Sequence, residues 1–205
     1  MKTPVLVVLA MVAPIWAVET IVLQPDCDEG KDAYVTFLHP GLNFGFDQGL
    51  AIAFGWAPYY LTLIQFNLPE LPTDAELVSV DLVLWCSVTL YDVEYINIVA
   101  VQDRWQESWV TWNNQPEYRP DKIIIARPPE GDDTWAYFNI TTFVADWYNS
   151  EYENNGMYLI PGTMSFIGFA SSDERDEDIH PKLIIRYSSA DVEETSWGEI
   201  KAHEW

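Results

Sequence analysis

The sequence predicts an all-β protein, an antiparallel β-sandwich of jelly-roll type with one short helix. Short apolar runs rich in Val, Ile, Tyr and Phe recur from end to end, and Pro, Gly, Asn and Asp separate them. That is the punctuation of a sandwich. In order, the expected strands are Thr20–Gln24, Ala33–Leu38, Leu50–Phe54, Tyr59–Asn67, Leu77–Val88, Glu94–Gln102, Lys122–Ala126, Thr134–Asn139, Met157–Ile160, Ser165–Ala170 and Lys182–Tyr187. Turns fall between them at His39-Pro40-Gly41, Leu68-Pro69, Arg127-Pro128-Pro129-Glu130-Gly131 and Asn154-Asn155-Gly156. One segment has a different period: in Asn139–Tyr148 the apolar residues Phe143, Val144 and Trp147 sit at i, i+1 and i+4, which is one helix face. Asn139 or Thr141 can cap it.

Of 205 residues, 49% are apolar, and 10 Trp, 11 Tyr and 9 Phe supply enough large side chains to exclude a disordered or low-complexity chain. Residues 1–17 read as an export signal: one Lys, an apolar run from Pro4 to Val12 too short to span a bilayer, and the small Ala17 for cleavage. The expected organisation is that signal, a sandwich domain over 18–187, and an acidic tail over 188–205. The tail places Trp197 and Ile200 three apart with Trp205 beyond, a short apolar stripe suited to docking or sorting, against which stands an inert extension. The chain is thus expected to be secreted or held at the cell surface, with no membrane insertion of its mature part.

Ten basic residues face 32 acidic ones, a formal net charge of −22. Nucleic acid is excluded as a partner, because affinity for phosphate comes from Lys and Arg displacing counterions. Anionic membranes and anionic polysaccharides are disfavoured on the same ground. Cations, neutral sugars and proteins remain.

No Gly-x-Ser-x-Gly elbow, phosphate-cradling glycine loop or His-Glu-x-x-His helix occurs, and the three histidines, His39, His180 and His203, have no nucleophile marked beside them. The expectation is that the chain is not an enzyme. Two loops are dense in carboxylates, and carboxylate oxygens in loops are what Ca²⁺ needs. The candidate ligands are Asp26, Asp28 and Asp32 in the first and Asp173, Asp176 and Asp178 in the second, with a solvated acidic face as the alternative. Aromatic residues in loops can stack on the C–H faces of sugars. Trp56, Tyr59, Tyr60 and Trp109 are the candidates, whereas Trp105 and Trp112 are expected to anchor packing. Cys27 and Cys86 are an even pair that an oxidising compartment could bridge, although the alternation of Leu82, Leu84 and Cys86 equally suits Cys86 as a small buried hydrophobe. Asn139-Ile140-Thr141 is a formal N-glycosylation acceptor, a pattern that helix capping explains as well.

The stretch Trp105-Gln106-Glu107-Ser108-Trp109-Val110-Thr111-Trp112-Asn113-Asn114-Gln115-Pro116 resembles the signature of the DNRLRE (disaggregatase-related) β-sandwich domains, which overlap an alginate-binding class of carbohydrate-binding modules. The likeness continues through Lys31-Asp32-Ala33-Tyr34-Val35, Pro40-Gly41-Leu42-Asn43-Phe44-Gly45, Ile64-Gln65-Phe66-Asn67-Leu68, Phe138–Val144 with Trp147, Ala170-Ser171-Ser172 and His180-Pro181-Lys182-Leu183, covering residues 20–187. The resemblance implies a β-sandwich that binds polysaccharide. Gln65 stands where the family carries Arg, Asn67 and Asn139 where it carries Asp, and His180 where it carries Arg before Pro181. With that cationic capacity gone, a neutral polysaccharide is expected in place of alginate. The function expected is a secreted, non-catalytic carbohydrate-binding or adhesive module of the cell surface or extracellular matrix. The alternative is a structural envelope subunit acting through contacts with other surface proteins.

Overall fold

A computed structural model describes residues 16–55, 59–90 and 93–190. Within them lie eleven strands and one α-helix: β1 (Trp16–Leu23), β2 (Asp32–Thr36), β3 (Gly49–Phe54), β4 (Tyr60–Ile64), β5 (Glu76–Leu90), β6 (Ile96–Val101), β7 (Tyr118–Ala126), β8 (Thr134–Asn139), α1 (Thr141–Tyr148), β9 (Met157–Pro161), β10 (Ser165–Ala170) and β11 (Lys182–Ala190). Each falls on an expected strand or on the expected helix, and every strand pair is antiparallel.

The strands run in the order β1-β11-β5-β10-β3-β4-β9-β6-β7, with β2 added to β4 and β8 to β5, so one sheet curls into a sandwich-like body. The 15-residue β5 makes the curl. Its first half pairs with β11, its last residues pair with β10, and β8 lies along Asp81–Cys86 on its other edge. At about 3.3 Å per residue β5 is roughly 50 Å long, enough to belong to both layers. Pro120 sits in β7, where a missing N–H is tolerated because that strand is an edge.

Two cores result. Inward residues of β3, β5, β6, β8, β9, β10 and β11 meet Phe143, Val144 and Trp147 of α1 in the main one. The other lies on the outer face of the β2-β4-β9-β6 layer, where Ala33, Val35, Leu61, Leu63, Val99, Val101 and Tyr158 are covered by Trp105 and Val110. Alternation explains the division: along β6, Ile96, Ile98 and Ala100 face the main core while Val99 and Val101 face the other. Those strands are apolar on both sides because both sides are buried.

One expectation is corrected. Cys27 is exposed and Cys86 is buried, both as free thiols, so the Cys27–Cys86 bridge is not formed. The Cys86 Sγ lies 3.2 Å from Thr89 Oγ1 in the main core, as the small-hydrophobe reading has it. The cap position of α1 is Ile140, and Asn139 Oδ1 accepts the Thr141 N–H at 3.4 Å, while Thr141 Oγ1 accepts the Val80 N–H at 2.8 Å and pins the helix to β5. At the sheet's edge β11 continues to Ala190 and pairs with β1 back to Trp16. The rest of the expected export signal and of the acidic tail, including Trp197, Ile200 and Trp205, lies outside the described residues. Among the described residues, no helix is long and apolar enough to cross a membrane.

Candidate functional site

The loop between β6 and β7 carries the Trp-rich segment. Its base is closed by Gln102 N–H donating to Glu117 O at 2.8 Å. Trp105 turns inward, 7% exposed, and its Nε1–H donates to Asn155 O at 2.9 Å. From the other side Asn43 Nδ2 donates to Glu107 O at 2.6 Å and Val110 O at 2.7 Å, buckling the loop to the 39–47 turn. With Trp105 and Val110 committed to the outer core, Trp109 is left pointing out, 71% exposed.

Trp109 stands on the wall of an open groove of about 1010 Å³. Gln65, Gln106, Asn114, Asn154 and Asn155 line it together with Lys31 and Arg104, a lining rich in side-chain amides. The amides are held in place: Gln65 Nε2 donates to Asn154 O at 2.7 Å, Asn154 Nδ2 to Phe66 O at 2.9 Å, and Asn155 Nδ2 to Gln102 O at 2.8 Å. Gly156, with φ +83, ends this turn; a Cβ there would lie 2.4 Å from Ile64 O, which only glycine avoids. The two cations of the groove are engaged. Arg104 forms a two-pronged pair with Glu153 at 3.0 and 3.1 Å, and Lys31 donates to Gln65 while its Nζ lies 4.4 Å from the Trp105 ring centre.

The four aromatic candidates do not share one surface. Tyr59 packs edge-on against Trp112 and Phe54, and Tyr60 faces the opposite way toward Tyr34 and Phe166, beside a separate recess of about 350 Å³. Trp56 lies outside the described residues. Of the four, Trp109 alone is described beside the amide-lined groove.

The acidic candidates also separate. Asp26 Oδ1 accepts the N–H groups of Asp28 and Glu29, and Asp176 Oδ1 accepts that of Asp178, so these carboxylates cap their own turns at the surface. Asp32 and Asp173, one from each loop, do come together, and Glu107 of the Trp-rich loop joins them. Glu107 was missed by the sequence reading; its signal is that it is the one acid between Trp105 and Pro116. Asp32 is 2% exposed; its Oδ2 accepts Ser172 N–H at 3.0 Å, and its own N–H donates to Glu107 Oε1 at 2.8 Å. Burial pushes the Asp32 carboxyl up to about 6, opposed by the Ser172 hydrogen bond, and pushes Glu107 up to about 7, opposed by the bond from Asp32 N–H. Burial raises Asp173 as well, against the influence of His180.

A curled antiparallel sandwich that presents an exposed tryptophan over an amide-lined groove has the form of a small binding module. The profile of carbohydrate-binding module family 96 matches residues 26–187, and the chain belongs to that family. Compared with curated proteins, it matches none.

Proposed function

We propose that this chain is a secreted, non-catalytic module that binds a neutral polysaccharide in the groove beside Trp109, at the cell surface or in the extracellular matrix. The observation that carries the reading is the Trp109 ring, 71% exposed in a loop whose other large apolar residues are committed to packing. A flat ring takes the C–H face of a sugar, and the fixed amides of Gln65, Asn154 and Asn155 offer donors and acceptors to its hydroxyls. Neutral sugar is preferred over alginate, the ligand class that the sequence resemblance implies, for two reasons. The chain carries a net charge of −22, and Arg104 and Lys31 already hold Glu153 and Gln65.

The test is a glycan array and calorimetry on the full chain. A neutral oligosaccharide is expected to bind, and Trp109→Ala is expected to remove about 1 kcal/mol of binding, roughly fivefold in Kd, with the fold intact. Unchanged affinity in Trp109→Ala, or no glycan retained, refutes it.

The alternative, assembly through protein contacts, is favoured by the edge strand β7, where Ile125 is 72% exposed beside Ile123 and Tyr118. Concentration-dependent association in light scattering, lost in Ile125→Lys, would support that reading.

A further inference from the structure

We propose that Asp32, Glu107 and Asp173 together hold a divalent cation, Ca²⁺ by their chemistry, where the Trp-rich loop meets the start of β2. Each residue comes from a different segment, and each presents one carboxylate oxygen such that all three lie within 4.8 Å of one another. Oxygens bound to Ca²⁺ at about 2.3–2.6 Å are separated by no more than about 5 Å, so the three fall within one coordination sphere.

A second observation is independent of their charge. Asp32 is buried, its Oδ2 takes the Ser172 N–H, and its Oδ1 has no hydrogen-bond partner. The Ser172 hydroxyl, also buried, has none either. A buried carboxylate oxygen left unpaired is expensive, and a cation supplies the partner it lacks. Side chains do not meet that need: among the described residues no Lys or Arg pairs with the three acids. Lys31 is turned to Gln65 and the Trp105 ring, and both ring nitrogens of His180 face backbone carbonyls, those of Pro25 and Glu174.

The ligand type selects the ion. Three carboxylates without Cys or His suit a hard cation over zinc or copper. Three ligands drawn from separate loops suit the flexible sphere of Ca²⁺ better than the strict octahedron of Mg²⁺, with second carboxylate oxygens and water filling the remaining positions. The consequence is mechanical. The ion joins β2, the loop after β10 and the loop that bears Trp109, and so braces that loop from outside the groove, which none of the three acids lines.

The test uses the full chain, stripped with EDTA and titrated with CaCl₂ by calorimetry and by thermal melting, with MgCl₂ as comparison. One saturable Ca²⁺ site that raises the melting temperature is expected. Asp173→Asn and Glu107→Gln, which preserve shape, are expected to fold and to lose affinity by about tenfold or more, whereas Asp176→Asn keeps it. Tb³⁺ provides a readout on the wild-type chain, where Trp-sensitised emission that Ca²⁺ displaces is expected because Trp105 lies two residues from Glu107. Melting indifferent to millimolar CaCl₂ and to EDTA, undiminished affinity in both variants, or no displaceable Tb³⁺ emission overturns the proposal.

Discussion

Trp105→Ala separates two of the three tryptophans of one loop, Trp105 and Trp109, into different roles. Trp105 is 7% exposed and covers the outer core formed by Val35, Leu63, Val99, Val101 and Tyr158. Truncating a buried tryptophan costs about 3–5 kcal/mol in lost transfer energy and residual cavity. The substitution also leaves Asn155 O without the Nε1–H donor at 2.9 Å, a loss of about 1 kcal/mol. The Lys31 ammonium over the ring adds roughly 0.5–1 kcal/mol more. The sum, about 4.5–7 kcal/mol, is comparable with the whole stability of a domain, commonly about 5–15 kcal/mol. Urea denaturation followed by far-UV circular dichroism measures it without relying on the deleted fluorophore. Trp105→Ala is expected to be unfolded or marginal, while Trp109→Ala stays within about 0.5 kcal/mol of the parent chain, as a surface substitution should. A cost below about 1.5 kcal/mol for Trp105→Ala refutes the outer core as a structural unit. An equal cost at Trp109 refutes the assignment of that ring to ligand.

Thiol chemistry checks the corrected cysteines: under native conditions Cys27 is expected to react at once with a thiol reagent and Cys86 only upon unfolding, since the first is exposed and the second lies in the main core. One equivalent of native-state labelling confirms it; none, with a mass lower by two hydrogen atoms, means a bridge. In EDTA, stability is expected to fall as pH rises. Asp32 and Glu107 hold their protons more tightly folded than unfolded, so the folded state binds more protons between about pH 4 and pH 7. Their contribution is full below the unfolded carboxylate range and is lost as pH passes about 6 and 7. Melting temperatures in EDTA at pH 5 and pH 8 measure the sign, and a higher value at pH 8 contradicts the burial assigned to these two acids.

The strands and helix were legible because each depends on neighbours in sequence. Ile96–Val101 reads as a strand from its β-branched run, and Phe143, Val144 and Trp147 read as a helix face from spacing alone. What sequence could not indicate was that Val99 and Val101 face a second core, since an apolar residue on either face of a strand looks the same until the covering loop is placed. The disulfide expectation rested on a count of two, and a count holds no distance. Tyr59 and Tyr60 are adjacent in sequence, yet the fold turns them to different aromatic neighbours, Trp112 for the first and Phe166 for the second, a divergence that the shared residue type does not signal.

The acidic residues show why a site differs from a cluster. Asp26, Asp28, Asp176 and Asp178 are dense in sequence, yet the carboxylates of Asp26 and Asp176 find the N–H groups of Asp28 and Asp178 two residues on and close local turns. Asp32 cannot follow them: it opens β2, its own N–H is taken by Glu107, and the fold buries it beside Asp173. The three acids that meet come from separate segments, 75 and 66 positions apart along the chain. Glu107 lies between Trp105, which holds the loop down, and Trp109, which the loop holds up. On the proposed site, a cation among Asp32, Glu107 and Asp173 would offset their mutual repulsion and so tighten the loop. If sugar affinity in this chain responds to divalent ions, that response should pass through Glu107 and disappear in Glu107→Gln, whose neutral amide leaves the two aspartates without the third carboxylate.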